Sequence, residues 1–126
     1  MKTYEKNLLD DELDEELIVG NTPFIQIGDR LYAKLETYNP SGSIKDRMAS
    51  YILSQARKSG EVRSNTTIVE ASSGNTGIAF ARLAAKYNYG CIIVMPRNMS
   101  EERKQMMKAY GARIIEVGDN DFKAAI

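Results

Sequence analysis

The order of hydrophobic patterns along the chain limits its fold more than any single motif does. From "SIKDRMASYILSQARKSG" onward, helical and strand-like segments alternate. In that first segment Ile44, Met48, Ile52 and Ala56 fall on one helical face, and Gly60 stands at the C′ position. "TTIVEAS" is β-branched and reads as a strand, broken by "SGNTG". "IAFARLAAKY" is Ala-rich and helical, with Ile78, Ala81 and Ala85 on one face. "CIIVMP" is apolar throughout, as a strand covered on both faces by helices would be. "SEERKQMMKAYG" predicts a helix with Ser100 as N-cap, acids in the first turn and Gly111 at C′; Arg103 takes the place of a capping-box Glu or Gln. "RIIEV" predicts another strand, and "DNDFKAAI" the start of another helix. Such alternation predicts an α/β fold with a parallel sheet flanked by helices. The sequence stops within that last helix, so a C-terminally truncated domain is expected.

The first residues are of another character. Leu8, Leu9, Leu13 and Leu17 recur at near-helical spacing, consistent with a short helix, and the acids between them read as its solvated face. "GNTPF" is a turn. "FIQIG" and "RLYAKLETY" read as two strands of a hairpin around Gly28–Asp29.

Composition excludes several chemistries. The 126 residues contain no histidine, which removes Ser-His and Cys-His nucleophiles and every His-ligated metal site; no metal is expected. Acid-base work near neutral pH would fall to another group, and a lysine of lowered pKa is the natural candidate. A net charge of zero gives no general attraction to nucleic acid or anionic membrane. No apolar run reaches the length of a membrane span, and the acidic N-terminus is unlike a signal peptide. The single cysteine fits a reducing, cytoplasmic setting. Cys91, within an apolar strand, reads as an inert core thiol, and Met106 and Met107 as core residues.

Two stretches could carry chemistry. "EASSGNTGIAFA" is a strand, a small-residue turn and a helix start. Ser72, Ser73, Asn75 and Thr76 offer hydrogen-bonding side chains beside the unpaired N–H groups of a helix N-terminus, a setting for a carboxylate or phosphate. It is equally a tight turn needing Gly74 and Gly77 for packing, and it is neither a Walker loop nor a G-x-G-x-x-G fingerprint. In "NPSGSIKDRMAS", Lys45 lies where a helix begins. The positive helix end and nearby Arg47 would favour a neutral amine able to form a Schiff base, while Asp46 opposes this. An ordinary surface lysine satisfies the same pattern, and the residues alone leave both readings open.

Their conjunction narrows the choice. "GNTPF", "KLETYNPSGSIKDR", "EASSGNTGIAFA" and "MPRNMSEERKQMMKAYGA", in that order, resemble the cysteine synthase family, which includes O-acetylserine sulfhydrylases and cystathionine β-synthases among the fold-type II pyridoxal-phosphate enzymes. The resemblance runs from about Gly20 to Val117. It implies that Lys45 holds the cofactor covalently and moves protons, and that Asn75 bonds the cofactor's ring hydroxyl. It implies that Ser72, Ser73, Asn75 and Thr76 bind substrate, the loop taking the α-carboxylate. Ser72 departs from the family's usual threonine, which leaves the choice of activated serine open. The implied reaction is β-replacement on O-acetylserine or O-phosphoserine by sulfide or a thiol. The resemblance also divides the chain: residues 1–39 would belong to a large domain otherwise absent, and residues 40–126 to the small domain carrying Lys45. The family's later phosphate-cupping loop does not occur in these residues, so weak pyridoxal-phosphate binding and little turnover are expected of the chain alone, with a complementary C-terminal chain and a homo-oligomer as expected partners. A non-catalytic remnant or interaction module of the same fold, and a small anion- or nucleotide-binding protein using "SGNTG", are the alternatives.

Overall fold

A computed structural model describes residues 18–126; the leucine-spaced acidic stretch, and the short helix expected of it, lie outside them. The described chain runs β1 (Phe24–Gly28), β2 (Leu31–Lys34), a 3₁₀ turn (Glu36–Tyr38), α1 (Lys45–Lys58), β3 (Thr67–Ala71), α2 (Asn75–Tyr87), β4 (Gly90–Pro96), α3 (Glu101–Ala109), β5 (Arg113–Val117) and α4 (Phe122–Ala125). β1 and β2 form an antiparallel hairpin; β3, β4 and β5 form a separate parallel sheet in that order. The predicted parallel sheet with flanking helices and the N-terminal hairpin are both present. No helix among the described residues is long and apolar enough to cross a membrane.

Strand alternation sorts β4 into two faces. Cys91, Ile93 and Met95 turn toward α2 and α3, where they meet Ile78, Ala81 and Met107. The opposite side of α2 carries Ala79, Phe80 and Leu83 against Ala49 and Leu53 of α1. Helix α2 is therefore buried on two sides, which explains its dense run of Ala and Leu. Among the described residues the second sheet face is covered only toward the carboxyl ends, where α4 meets β4 and β5; Val69 is 62% exposed.

Several local expectations hold. Ser100 Oγ accepts from the Arg103 N–H at 3.5 Å, capping α3, and Gly111 and Gly60 follow their helices with φ of +86° and +78°. Three details differ. Helix α2 begins at Asn75, so the "GNTG" turn is partly its first turn, and Ala84 rather than Ala85 completes its buried face. The second hairpin strand ends at Lys34, because Glu36 turns inward to bond Arg47 and the Asn39 amide bonds the Glu36 carbonyl at 2.9 Å. Helix α1 buries Asp46, Ala49 and Leu53; Met48, Ile52 and Ala56 line an open groove of about 460 Å³ beside β3 instead. The cause is a buried ion pair, Asp46 Oδ1 with Arg82 Nε at 3.3 Å, which fixes the rotation of α1 against α2.

Gly77 permits a close approach in the core. A Cβ there would lie 2.9 Å from Met107 Cε and 3.3 Å from Ile93 Cγ2, inside the wedge between α2, α3 and β4. Gly77→Ala is expected to lower stability by about 1–3 kcal/mol through overpacking, read by thermal or urea unfolding. A smaller loss would mean that Met107 can swing aside. Burial, with Glu70 nearby, pushes the Cys91 thiol up to about 11. Native protein at neutral pH is accordingly expected to react with a thiol reagent far more slowly than the unfolded chain, and equal rates would contradict the packing of β4.

Candidate active site

The parallel ladder delivers the "SSGNT" turn to the carboxyl ends of β3 and β4, where open α/β sheets receive ligands. Ser72 continues the ladder by donating its N–H to the Val94 carbonyl at 3.2 Å. Its hydroxyl oxygen then accepts from the Gly77 N–H at 3.0 Å and the Gly74 N–H at 3.3 Å. Ser72 thus caps α2 from outside the helix, and its hydroxyl hydrogen remains to be donated outward. The next residues are left open: Ser73 and Thr76 are half-buried and Asn75 is exposed. Gly74 at the N-cap position adds no side chain of its own, and among the described residues the first-turn N–H groups of Asn75 and Thr76 meet no hydrogen-bond acceptor.

These residues line one cavity of about 300 Å³. Ala71 and Ser72 through Thr76 form one wall; Val94, Pro96, Phe122 and Ala125 form the other. The polar wall offers donors of hydroxyl, amide and backbone N–H type. Among the described residues no lysine or arginine lines the cavity. A Cβ on Gly74 would meet only an Arg103 guanidinium nitrogen, at 3.9 Å, so core packing does not demand glycine there as it does at Gly77. The two glycines of the turn thus differ: one is a packing requirement, the other leaves room at the helix mouth.

Lys45 is the first residue of α1, and its side chain is exposed. Its N–H donates to Ser43 Oγ at 3.1 Å. The structure brings Ser72, Ser73, Asn75 and Thr76 together; Lys45 stands apart from the cavity they line. The charges beside Lys45 are committed elsewhere. Asp46 is fully buried and accepts from Ser41 N–H at 3.0 Å, Ser41 Oγ at 2.7 Å and Arg82 Nε. Arg47 makes a two-pronged contact with Glu36, Nε to Oε2 at 2.8 Å and Nη2 to Oε1 at 2.9 Å. Neither neighbour is an unpaired charge acting on the amine, contrary to what sequence proximity suggested.

That second contact explains the N-terminal motif. Thr22 Oγ1 donates to Glu36 Oε1 at 2.7 Å, the Asn39 amide donates to Glu36 Oε2 at 2.8 Å, and the Gly20 N–H donates to Asn39 Oδ1 at 2.8 Å. Gly20 has φ +83°, and a Cβ on it would lie 2.6 Å from Arg47 Nη1. "GNTPF", "LETYN" and "KDR" are three parts of one clasp that docks the hairpin beside Lys45. Sequence reasoning missed Glu36, Arg47 and Asn39 in this role. The available signal was an acid, an amide and an arginine clustered around the lysine.

Comparison with known proteins agrees with this geometry. Residues 15–126 match the family profile described as "Pyridoxal-phosphate dependent enzyme". The chain belongs to that family. Pyridoxal phosphate is accordingly the cofactor implied for it. Cysteine synthase B of Salmonella typhimurium is 44% identical over 109 residues, which is 81% of this chain and 36% of that protein. Cysteine synthase B of Pseudomonas syringae is 44% identical over 110 residues, 82% of this chain and 65% of that protein. Among solved structures, a hydrogen sulfide-producing enzyme of Fusobacterium nucleatum superposes with a TM-score of 0.83 at 42% identity, covering 90% of this chain and 36% of its own. An O-acetylserine dependent cystathionine beta-synthase of Helicobacter pylori gives 0.80 at 36% identity, over 88% of this chain and 40% of its own. The chain thus spans little more than a third of most of these relatives.

The clasp generates a pH prediction. Hydrogen bonds from Arg47 first, then from Thr22, hold Glu36 down to about 2, against an ordinary 4.5. Because the folded pKa is depressed, the stabilisation is complete above about 4.5 and is lost as pH falls toward 2. Carboxyl-detected NMR is expected to place the Glu36 midpoint near 2. A midpoint of 4 or more would show that the clasp does not form in solution.

Proposed function

We propose that this chain carries the amine and substrate-carboxylate portion of a pyridoxal-phosphate site for β-replacement on an activated serine, O-acetylserine or O-phosphoserine, giving cysteine or a related amino acid. The observation that carries the reading is the donor-rich, uncharged wall of Ser72 to Thr76 at the strand ends, in a chain that matches cysteine synthases. The donor set fits the group: hydroxyls, an amide and two free helix N–H groups suit a ring oxygen and a carboxylate. Nothing cationic in the cavity suits a phosphate dianion. The isolated chain is therefore expected to hold the cofactor weakly and turn over little.

When bound, pyridoxal phosphate supplies an electron sink for negative charge at the substrate's α-carbon. The protein's part is orientation and proton handling. The Asn75 amide would donate to the cofactor's ring oxygen. Ser73, Thr76 and the first-turn N–H groups donate to the substrate carboxylate, and Ser72 holds those N–H groups in place while donating its own hydroxyl hydrogen. The Lys45 amine would hold the cofactor at its aldehyde carbon and, once the substrate's amine had displaced it, would as the freed neutral amine take and return the proton at the α-carbon. The same reading assigns residues 1–39 to a large domain and residues 40–126 to the small one. It adds a sulfide or thiol co-substrate, a complementary C-terminal chain, a homo-oligomeric assembly and a cytoplasmic setting. A non-catalytic interaction module of the same fold is the second reading, favoured by one observation: Lys45 is not among the residues lining the cavity.

Borohydride trapping separates the two. Wild-type chain is incubated with millimolar pyridoxal phosphate, reduced, and mapped by mass spectrometry. Labelling of Lys45 well above the exposed Lys58, Lys86 and Lys108 supports the enzymatic site, and Asn75→Ala is expected to reduce the Lys45 yield several-fold. Uniform labelling of exposed lysines would leave the interaction module.

A further inference from the structure

We propose that Asp46 is the positioning residue for Lys45, and that its pairing with Arg82 sets the span between the Lys45 amine and the Ser72–Thr76 turn. The inference rests on the reading of Lys45 as the cofactor-anchoring amine. A lysine stem is flexible, so the fold can position only its root. Asp46 does this from the adjacent position: its side chain is wholly buried while that of Lys45 is exposed.

The two carboxylate oxygens face different parts of the molecule. Oδ2 accepts both the N–H and the hydroxyl of Ser41, at 3.0 and 2.7 Å, closing the loop that leads into Lys45. Oδ1 accepts from Arg82 Nε at 3.3 Å. Arg82 stands on α2 about two turns beyond Asn75, roughly 10 Å of helix rise. The helix that presents Asn75 and Thr76 therefore also holds the start of the helix that presents Lys45. An ionised carboxylate is suited to this because it only accepts. An amide in its place would have to turn an NH₂ toward either the Ser41 donors or the guanidinium.

Stability alone does not call for the pair. A buried ion pair can usually be exchanged for well-packed apolar residues with no loss of stability, and Ala49 and Leu53 supply an apolar surface around it. A buried carboxylate one residue from the reactive amine is the feature expected where geometry matters more than stability.

The test compares the Lys45 share of borohydride-trapped pyridoxal phosphate in wild type, Asp46→Asn, Arg82→Lys, Ser41→Ala and the apolar double variant Asp46→Leu/Arg82→Leu. Lys104, 4% exposed and bonded to Glu116, reports folding by staying unlabelled. Asp46→Asn and Arg82→Lys are expected to cut the Lys45 share about tenfold, the scale of one hydrogen bond to a charged group, with Ser41→Ala intermediate. The double variant is expected to regain melting temperature without regaining the Lys45 share, which a merely structural role would not produce. If Asp46→Asn exposes Lys104, the double variant and Ser41→Ala decide. A wild-type share in folded variants overturns the positioning role alone. No preference for Lys45 in the wild type overturns the cofactor reading and this inference with it.

Discussion

The Asp46 carboxylate is the constraint on which the described structure turns. It sits without solvent contact between α1 and α2 and satisfies three donors, two from Ser41 and one from Arg82. Leaving either charge of such a pair alone in the interior costs on the order of 3–5 kcal/mol, so the two helices are held in a single rotational setting. That setting directs Ala49 and Leu53 into the core and turns Met48 and Ile52 toward the groove beside β3. It also leaves Lys45, one residue earlier, outside. The exposure of the amine follows from the burial of its neighbour.

Around that joint the α/β layering places the remaining parts. β3 and β4 bring the Ser72–Thr76 turn and the wall of Val94 and Pro96 to the same end of the sheet. Gly77 lets α2 lie close enough to β4 for its first turn to stand directly over the strand ends. Ser72 uses its hydroxyl oxygen inwardly, on two backbone donors, so the turn is preorganised before any ligand arrives. The two solved structures compared above superpose on the chain with TM-scores of 0.83 and 0.80, so the overall layering is common to them.

Much of this was legible beforehand, and for identifiable reasons. The strands read correctly because β-branched runs bounded by small residues have few alternatives, and α3 read correctly because both its caps are written locally in Ser100 and Gly111. The hairpin strand running to Tyr38 and the apolar stripe of α1 read less well, because long-range polar bonds overrode local pattern in both. Glu36 leaves the strand for Arg47, and Asp46 rotates the helix for Arg82. Periodicity counts hydrophobic side chains and is blind to a buried carboxylate whose partner lies 36 residues away. For the same reason, sequence proximity sets Asp46 and Arg47 beside Lys45, whereas the fold pairs each with something else.

Two of the ionic joints among the described residues differ in their surroundings. The Asp46–Arg82 joint is dry, with its side chains 0% and 10% exposed. The Glu36–Arg47 clasp is wet, with Arg47 39% exposed. Mobile ions screen the second and barely reach the first. Ionic strength therefore acts on this protein unevenly: concentrated salt loosens the hairpin from the helical layer while leaving the mutual setting of α1 and α2 untouched.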